Sequence, residues 1–169
     1  DPADFETVVR VQLLGSAFAT KAVWATMIDQ NYGRILMTTS ASGLGGNFGQ
    51  SNYGAAKLGV VGLAKTLYLE GARHNIRVNS LAPAAGTRMT EDIFPAEAFK
   101  AFGTENVVPA ALFLVSEDAP TSAIVGAGAI VKQDRENDQR HRCSPGNPIR
   151  RHALQLSGRR WPWPQVWLL

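Results

Sequence analysis

Three residues carry types and spacings that could do chemistry together. Ser40 ends an apolar, β-prone run, Ile35-Leu36-Met37-Thr38-Thr39. Tyr53 follows thirteen residues later, and Lys57 four after that. Residues four apart lie on one face of a helix, so the phenol and the ammonium can point into one space. Ser40, at the carboxyl end of a strand, can meet them there, which is where open α/β sheets place ligand chemistry. A tyrosine ordinarily titrates near pH ~10, too high for a base at neutral pH. A nearby ammonium favours the phenolate, and Lys57 is placed to supply it. Tyr53 could then exchange a proton with a substrate hydroxyl or carbonyl. Ser40 could hydrogen-bond the same oxygen.

The competing structural reading has Ser40 capping a turn, Tyr53 half buried and Lys57 solvated. It suits each residue singly and suits the three together poorly. No side chain carries a hydride, so the site implies a nicotinamide cofactor.

The elements that must position these residues are legible in outline. Asp4 to about Gln30 reads as a helix, with Val8, Val11, Leu14, Phe18, Ala22, Ala25 and Met27 at an approximate helical period. Gly33 opens a strand over 34–39. A glycine-rich turn with Gly43, Gly45, Gly46 and Gly49 leads to a helix from about Gln50 to Ala72. That helix is apolar nearly all round, which predicts burial. Ile76 to Leu81 reads as a second strand. Pro83 to Thr90, PAAGTRMT, leaves it in a turn that places Gly86 at a positive φ. Glu91 to Phe102 reads as a loosely helical cover with Phe94, Phe99 and Phe102 on its apolar side. A helix over 105–116 and a strand over 122–130 complete the pattern.

The stretch GRILMTTSASGLGGNFGQSNYGAAK resembles the active-site segment of the short-chain dehydrogenase/reductase family, with its serine followed at this distance by Tyr-x-x-x-Lys. With IRVNSLAPAAGTRMT downstream, the wording is most similar to the (3R)-hydroxyacyl-CoA dehydrogenase part of the peroxisomal multifunctional enzymes. The resemblance runs from about Asp4 to Ile130. It implies an α/β fold, a Rossmann-like doubly wound parallel sheet, here with about three parallel strands and flanking helices. It implies oxidation of 3-hydroxyacyl-CoA to 3-oxoacyl-CoA with NAD as acceptor, NADP being left open. A 3-oxoacyl-carrier-protein reductase-like activity is the alternative within the family.

By motif position the resemblance assigns Ser40, Tyr53 and Lys57 as catalytic. Tyr53, Lys57, Pro83, Ala85 and Thr87 would contact the cofactor, with the Thr87 hydroxyl reaching the carboxamide. Gln12, in Val11-Gln12-Leu13-Leu14-Gly15, stands where the family carries an asparagine that supports a water-linked proton path to the lysine. A polar residue at a helix kink accounts for Gln12 equally well. The helices at 4–30 and 50–72 are of the kind that pack across a dimer interface, which implies a homo-oligomer. An enzyme of this class begins with a strand, a Gly-rich turn and a helix that bind the cofactor pyrophosphate, and no such unit occurs in these 169 residues. Gly43-Leu44-Gly45-Gly46 follows the later strand and does not replace it. Residues 1–130 therefore read as an N-terminally truncated catalytic domain, and a remnant that acts only through oligomerisation is the second reading.

Composition bounds the rest. A hydrophobic content of 45% with 18% charged residues suits an α/β protein with a real core. No apolar run approaches the roughly 20 residues of a membrane span. The single cysteine, Cys143, excludes an internal disulfide framework, and His74, His141 and His152 lack metal-ligand spacing. Residues 131–169 hold 8 Lys/Arg against 3 Asp/Glu, whereas 1–130 hold 9 against 11. The basic tail has few apolar residues and no period, so it reads as disordered. Arginines interleaved with Trp161, Trp163 and Trp167 suit nucleic acid or an anionic surface, but the prolines break any helix that would display them. The tail is therefore expected to bind no nucleic acid and to add little to site or stability. Its last three residues are not a peroxisomal address, so location rests on the resemblance alone, peroxisome or cytoplasm.

Overall fold

The computed structural model describes residues 1–88, 99, 102–128 and 166–168. Helix α1 (Pro2–Val9), a π-helical segment Arg10–Leu14 and α2 (Gly15–Asp29) run on through helical junctions at Arg10 and Gly15. Asp1 caps the start, its carboxylate accepting from the backbone N–H groups of Ala3 and Asp4. The chain then forms β1 (Gly33–Thr38), α3 (Ala41–Gly45), α4 (Ser51–Gly71), β2 (Ile76–Pro83), α5 (Val108–Leu114), β3 (Ile124–Ala127) and β4 (Val166–Leu168). Strands β1, β2 and β3 are neighbours and parallel, with Thr38 opposite Leu81 and Leu81 opposite Val125. This is the three-stranded parallel arrangement the resemblance implies.

The helices cover both faces, as parallel strands require. Met37, Ile76 and Val78 pack with Val60, Ala64 and Leu67 of α4 on one face, joined by Trp24 and Met27 of α2. Leu81, Val125 and Ala127 pack with Ala110 and Leu114 of α5 in a second core. Asn79 is buried beside that second core. Its amide donates to the carbonyls of Leu114 and Pro120, and its oxygen accepts from the Ala123 N–H. The buried amide is thereby satisfied while fixing α5 and β3 to β2.

Four details differ from expectation. The glycine-rich turn after Ser40 contains a helical turn, α3, because Ser40 caps it. Gly86 does not adopt a positive φ; the positive-φ glycines among the described residues are Gly46 and Gly49. Gly86 is instead held by close approach, since a Cβ there would meet the Phe99 carbonyl oxygen at 2.7 Å. Helix α4 is not buried all round, for Leu58 and Leu69 are 53% and 65% exposed. Finally, β4 pairs antiparallel with β3, a strand that composition did not suggest. The remainder of the tail, residues 129–165 and 169, and most of the expected cover over 91–102 lie outside the described residues.

Candidate active site

The carboxyl ends of β1 and β2 deliver the site. The two strands are parallel and in register, so the segments following Thr38 and Leu81 emerge at the same end of the sheet. One carries Ser40. The other carries Pro83, Ala85 and Thr87, with Pro83 exposed and Ala85 and Thr87 half-buried. This second segment is fixed to the fold by its backbone. The Ala84 N–H donates to Ala127 O at 2.7 Å and the Gly86 N–H to Phe102 O at 2.5 Å.

Ser40 is extended (φ −154°, ψ 152°) and its Oγ accepts from the Ser42 N–H at 3.2 Å. It is thus the N-cap of α3. Helix α3 lies against α4 at a distance only glycine permits. A Cβ on Gly43 would come within 2.8 Å of the Lys57 Cβ, and one on Gly54 within 3.2 Å of the Ser42 carbonyl oxygen. The turn that Ser40 caps therefore abuts Gly54, the neighbour of Tyr53.

Tyr53 is half-buried in the first turn of α4, its N–H accepted by the Asn52 side-chain oxygen at 2.7 Å. Lys57, one turn on, is 6% exposed. Its Nζ donates to the Thr38 carbonyl at 2.9 Å and lies 5.6 Å from the centre of the Tyr53 ring. Burial pushes the Lys57 ammonium below the ordinary lysine value. No carboxylate pairs with it among the described residues. A buried ammonium without an ion pair is costly to a fold, and such groups gather at functional sites. The structural reading that suits Ser40 and Tyr53, a cap and a half-buried ring, fails for Lys57.

Gln12 falls in the middle of the π-helical segment, and its carbonyl also accepts from Ser16 Oγ at 2.9 Å. Single π-turns often mark functional positions. Gln12 and Lys57 line one open cavity of about 470 Å³, between α2 and β1. The structure thus sets Gln12 and Lys57 on one cavity and the Tyr53 ring near Lys57, while Tyr53 and Ser40 are not among the residues that line that cavity. Sequence reasoning missed Thr38 and Thr39. Thr38 supplies the carbonyl that holds Lys57, and the Thr39 hydroxyl donates to the Lys57 carbonyl oxygen at 2.8 Å. The one available signal was their position directly before Ser40.

The sequence matches the short chain dehydrogenase family over residues 1–98. The chain belongs to this family. It is 50% identical over 132 residues to peroxisomal multifunctional enzyme type 2 of Mus musculus, covering 76% of this chain and 18% of that one. It is 47% identical over 130 residues to a short-chain type dehydrogenase/reductase of Mycobacterium tuberculosis, covering 75% and 46% respectively. The chain thus spans less than half the length of either relative. Among solved structures it is similar to full-length peroxisomal multifunctional enzyme type 2 from Drosophila melanogaster, with a TM-score of 0.67 and 36% identity over 78% of this chain and 25% of that one. Family membership implies a nicotinamide cofactor. Among the described residues no helix is long and apolar enough to cross a membrane, and no cluster of three metal-ligating side chains occurs.

Proposed function

We propose that this chain carries the acid–base half of an NAD-dependent oxidoreductase that converts 3-hydroxyacyl-CoA to 3-oxoacyl-CoA as part of a longer enzyme. The observation that carries the reading is Lys57, buried without a carboxylate partner among the described residues, beside the Tyr53 ring and bonded to the end of the strand that leads to Ser40. Tyr53 takes the proton from the substrate hydroxyl, or returns it to the carbonyl in the reverse direction. Ser40 donates its hydroxyl hydrogen to the same oxygen and orients it. Lys57 places an ammonium 5.6 Å from the centre of the Tyr53 ring, where it stabilises negative charge that develops on the phenol oxygen as the proton moves. Gln12 lines the same cavity as Lys57 and is the candidate link from that lysine to solvent.

The residues present fit the nicotinamide end of a cofactor. Among the described residues one carbonyl accepts from the Lys57 ammonium, which has three donors, so donors remain there for polar groups of a ligand. Thr87 adds a hydroxyl at the same end of the sheet. Lys57, Tyr53, Pro83, Ala85 and Thr87 are the residues we assign to holding it. When bound, the cofactor supplies the hydride acceptor that no side chain provides. The choice of NAD, the acyl-CoA substrate and a peroxisomal parent enzyme rest on the similarity to the multifunctional enzymes.

A completed enzyme tests this. Joined to the N-terminal strand, Gly-rich turn and helix of a complete short-chain dehydrogenase, the chain is expected to reduce NAD in the presence of 3-hydroxyacyl-CoA, followed by nicotinamide absorbance. Preference for 3-oxoacyl-carrier protein or a simple sterol would overturn the substrate. Preference for NADP would overturn the cofactor.

A second reading draws on a different observation. Val11 and Phe18 of the first helical run, and Leu58 and Leu69 of α4, are exposed large apolar side chains. Exposed apolar surface of this kind suits an interface. In this reading the chain acts by pairing with a second copy or an intact homologue through the helices at 4–30 and 50–72. Sedimentation of the purified chain, alone and mixed with a full-length relative, separates the two readings. Monomers throughout would remove the second.

A further inference from the structure

Lys57 is held at both ends by consecutive residues of one strand end. Its Nζ donates to the Thr38 carbonyl at 2.9 Å, and its own backbone carbonyl accepts from Thr39 Oγ1 at 2.8 Å. Thr39 is 1% exposed. It cannot easily drift, because its N–H donates to Leu81 O of β2 at 2.8 Å. The next residue is Ser40.

We propose that Thr39 is a positioning residue that sets Lys57, and with it Tyr53, relative to Ser40. The proposal rests on the oxidoreductase reading for its purpose, but not for its geometry. The Thr39 hydroxyl ties the strand end that carries Ser40 to the backbone of the helical turn that carries Lys57. From the other side, α3 presses on the same turn through Gly43, with no room for a Cβ. The turn is thereby gripped between a hydroxyl and a glycine.

The link does more than fill space. A carbonyl oxygen has two lone pairs, so a helical carbonyl can accept the hydroxyl and keep its helix bond. Replacing Thr39 by valine preserves shape and β-branching and removes only the hydroxyl. The helix bond at Lys57 O survives, so the fold should persist while the Lys57 backbone loses its tie to the strand end and only the Nζ–Thr38 bond remains. A misplacement of about 1 Å at a positioning contact can cost roughly a hundredfold in rate. Of the titratable groups on elements packed against Lys57, Tyr53 on α4 lies 5.6 Å from Nζ, and Arg34 on β1 lines the same cavity. No acidic group pairs with Lys57 among the described residues.

The test compares the full chain with Thr39→Val and Thr39→Ser, following the titration of Lys57 by carbon-13 NMR of its side chain. Thr39→Val is expected to move that titration upward, toward an ordinary lysine, as the loosened turn lets water reach the ammonium. Thr39→Ser keeps the hydroxyl and should titrate as wild type. Should Thr39→Val not fold, Thr39→Ala serves with the same readout. In the completed enzyme Thr39→Val should lower kcat about tenfold or more with KM nearly unchanged, and Thr39→Ser should restore it. A Thr39→Val or Thr39→Ala chain in which Lys57 titrates as in wild type overturns the proposal, whatever the activity. A shifted titration in a completed enzyme that turns over nothing would instead condemn the oxidoreductase reading and leave the positioning role standing.

Discussion

Two cations flank β1, and each lies by a tyrosine ring. At the amino end, the Arg34 side chain is 6% exposed. Its guanidinium donates to the carbonyls of Ser116, Gly33 and Asn75, meets the Glu117 carboxylate at 3.3 Å, and stacks 4.3 Å from the centre of the Tyr32 ring. At the carboxyl end, Lys57 is equally hidden but has one carbonyl and a ring at 5.6 Å. Arg34 spends its donors on the fold. The guanidinium fork can satisfy several carbonyls at once, and those it reaches tie β1 to the segment after α5. Among the described residues Lys57 spends one donor and keeps the others. If Lys57 serves the chemistry proposed for it, the difference teaches how to tell a structural cation from a chemical one: both are buried, and of the two only the lysine is left under-partnered among the described residues.

The comparison can be broken in several ways. The largest expected effect is on chemistry at the lysine end. In the completed enzyme, Tyr53→Phe should lower hydride transfer by roughly 10²–10⁴-fold, the usual worth of a general acid–base group. Turnover at the wild-type rate would remove Tyr53 from the mechanism. At the other end, Arg34→Met should leave turnover alone and cost about 2–3 kcal/mol in urea unfolding, because several carbonyls lose their donor. The Glu117 pair contributes little of this, since that carboxylate is largely exposed. A cost near zero would make the arginine network ornamental.

The pH dependence of stability sharpens the contrast. Burial lowers the Lys57 titration from the ordinary 10.5. The folded state therefore sheds this proton at lower pH than the unfolded chain. Below the folded value the buried ammonium weighs on the fold in full. Stability should rise as pH climbs from that value toward 10.5, and the rise should vanish in Lys57→Met. The comparison is read as the difference between the two chains across the alkaline range. The smallest effect belongs to Tyr32. Hydrogen bonding to Glu117 comes first among the causes holding its hydroxyl above the ordinary tyrosine value. Tyr32 is at the surface, so Tyr32→Phe should leave the thermal midpoint nearly unchanged.

What could be read in advance followed physical range. The Tyr53–Lys57 pair is a local matter of helix spacing, and the β1–α4–β2 order follows from an apolar run, a glycine cluster and a second apolar run. The burial of Lys57 was not readable, because a lysine on a helix is ordinarily solvated. It depends on Thr38 and Thr39, which are eighteen or more residues away in the chain. Helix α3 was hidden because glycine is a poor helix former, and only the Ser40 cap together with contact to α4 sustains it. The exposure of Leu58 and Leu69 was equally out of reach, for apolar residues all round a helix do not say which neighbours are present. The π-helical turn at Gln12 left no trace beyond the residue itself.

The central claim is that Lys57 is kept buried for the chemistry at Tyr53 and at some expense to the fold. Lys57→Met in the completed enzyme tests this most directly, with thermal unfolding and hydride transfer measured on the same preparation. The account predicts a midpoint unchanged or raised, by up to about 1 kcal/mol of stability, together with loss of hydride transfer. A clearly lowered midpoint with hydride transfer intact would contradict it.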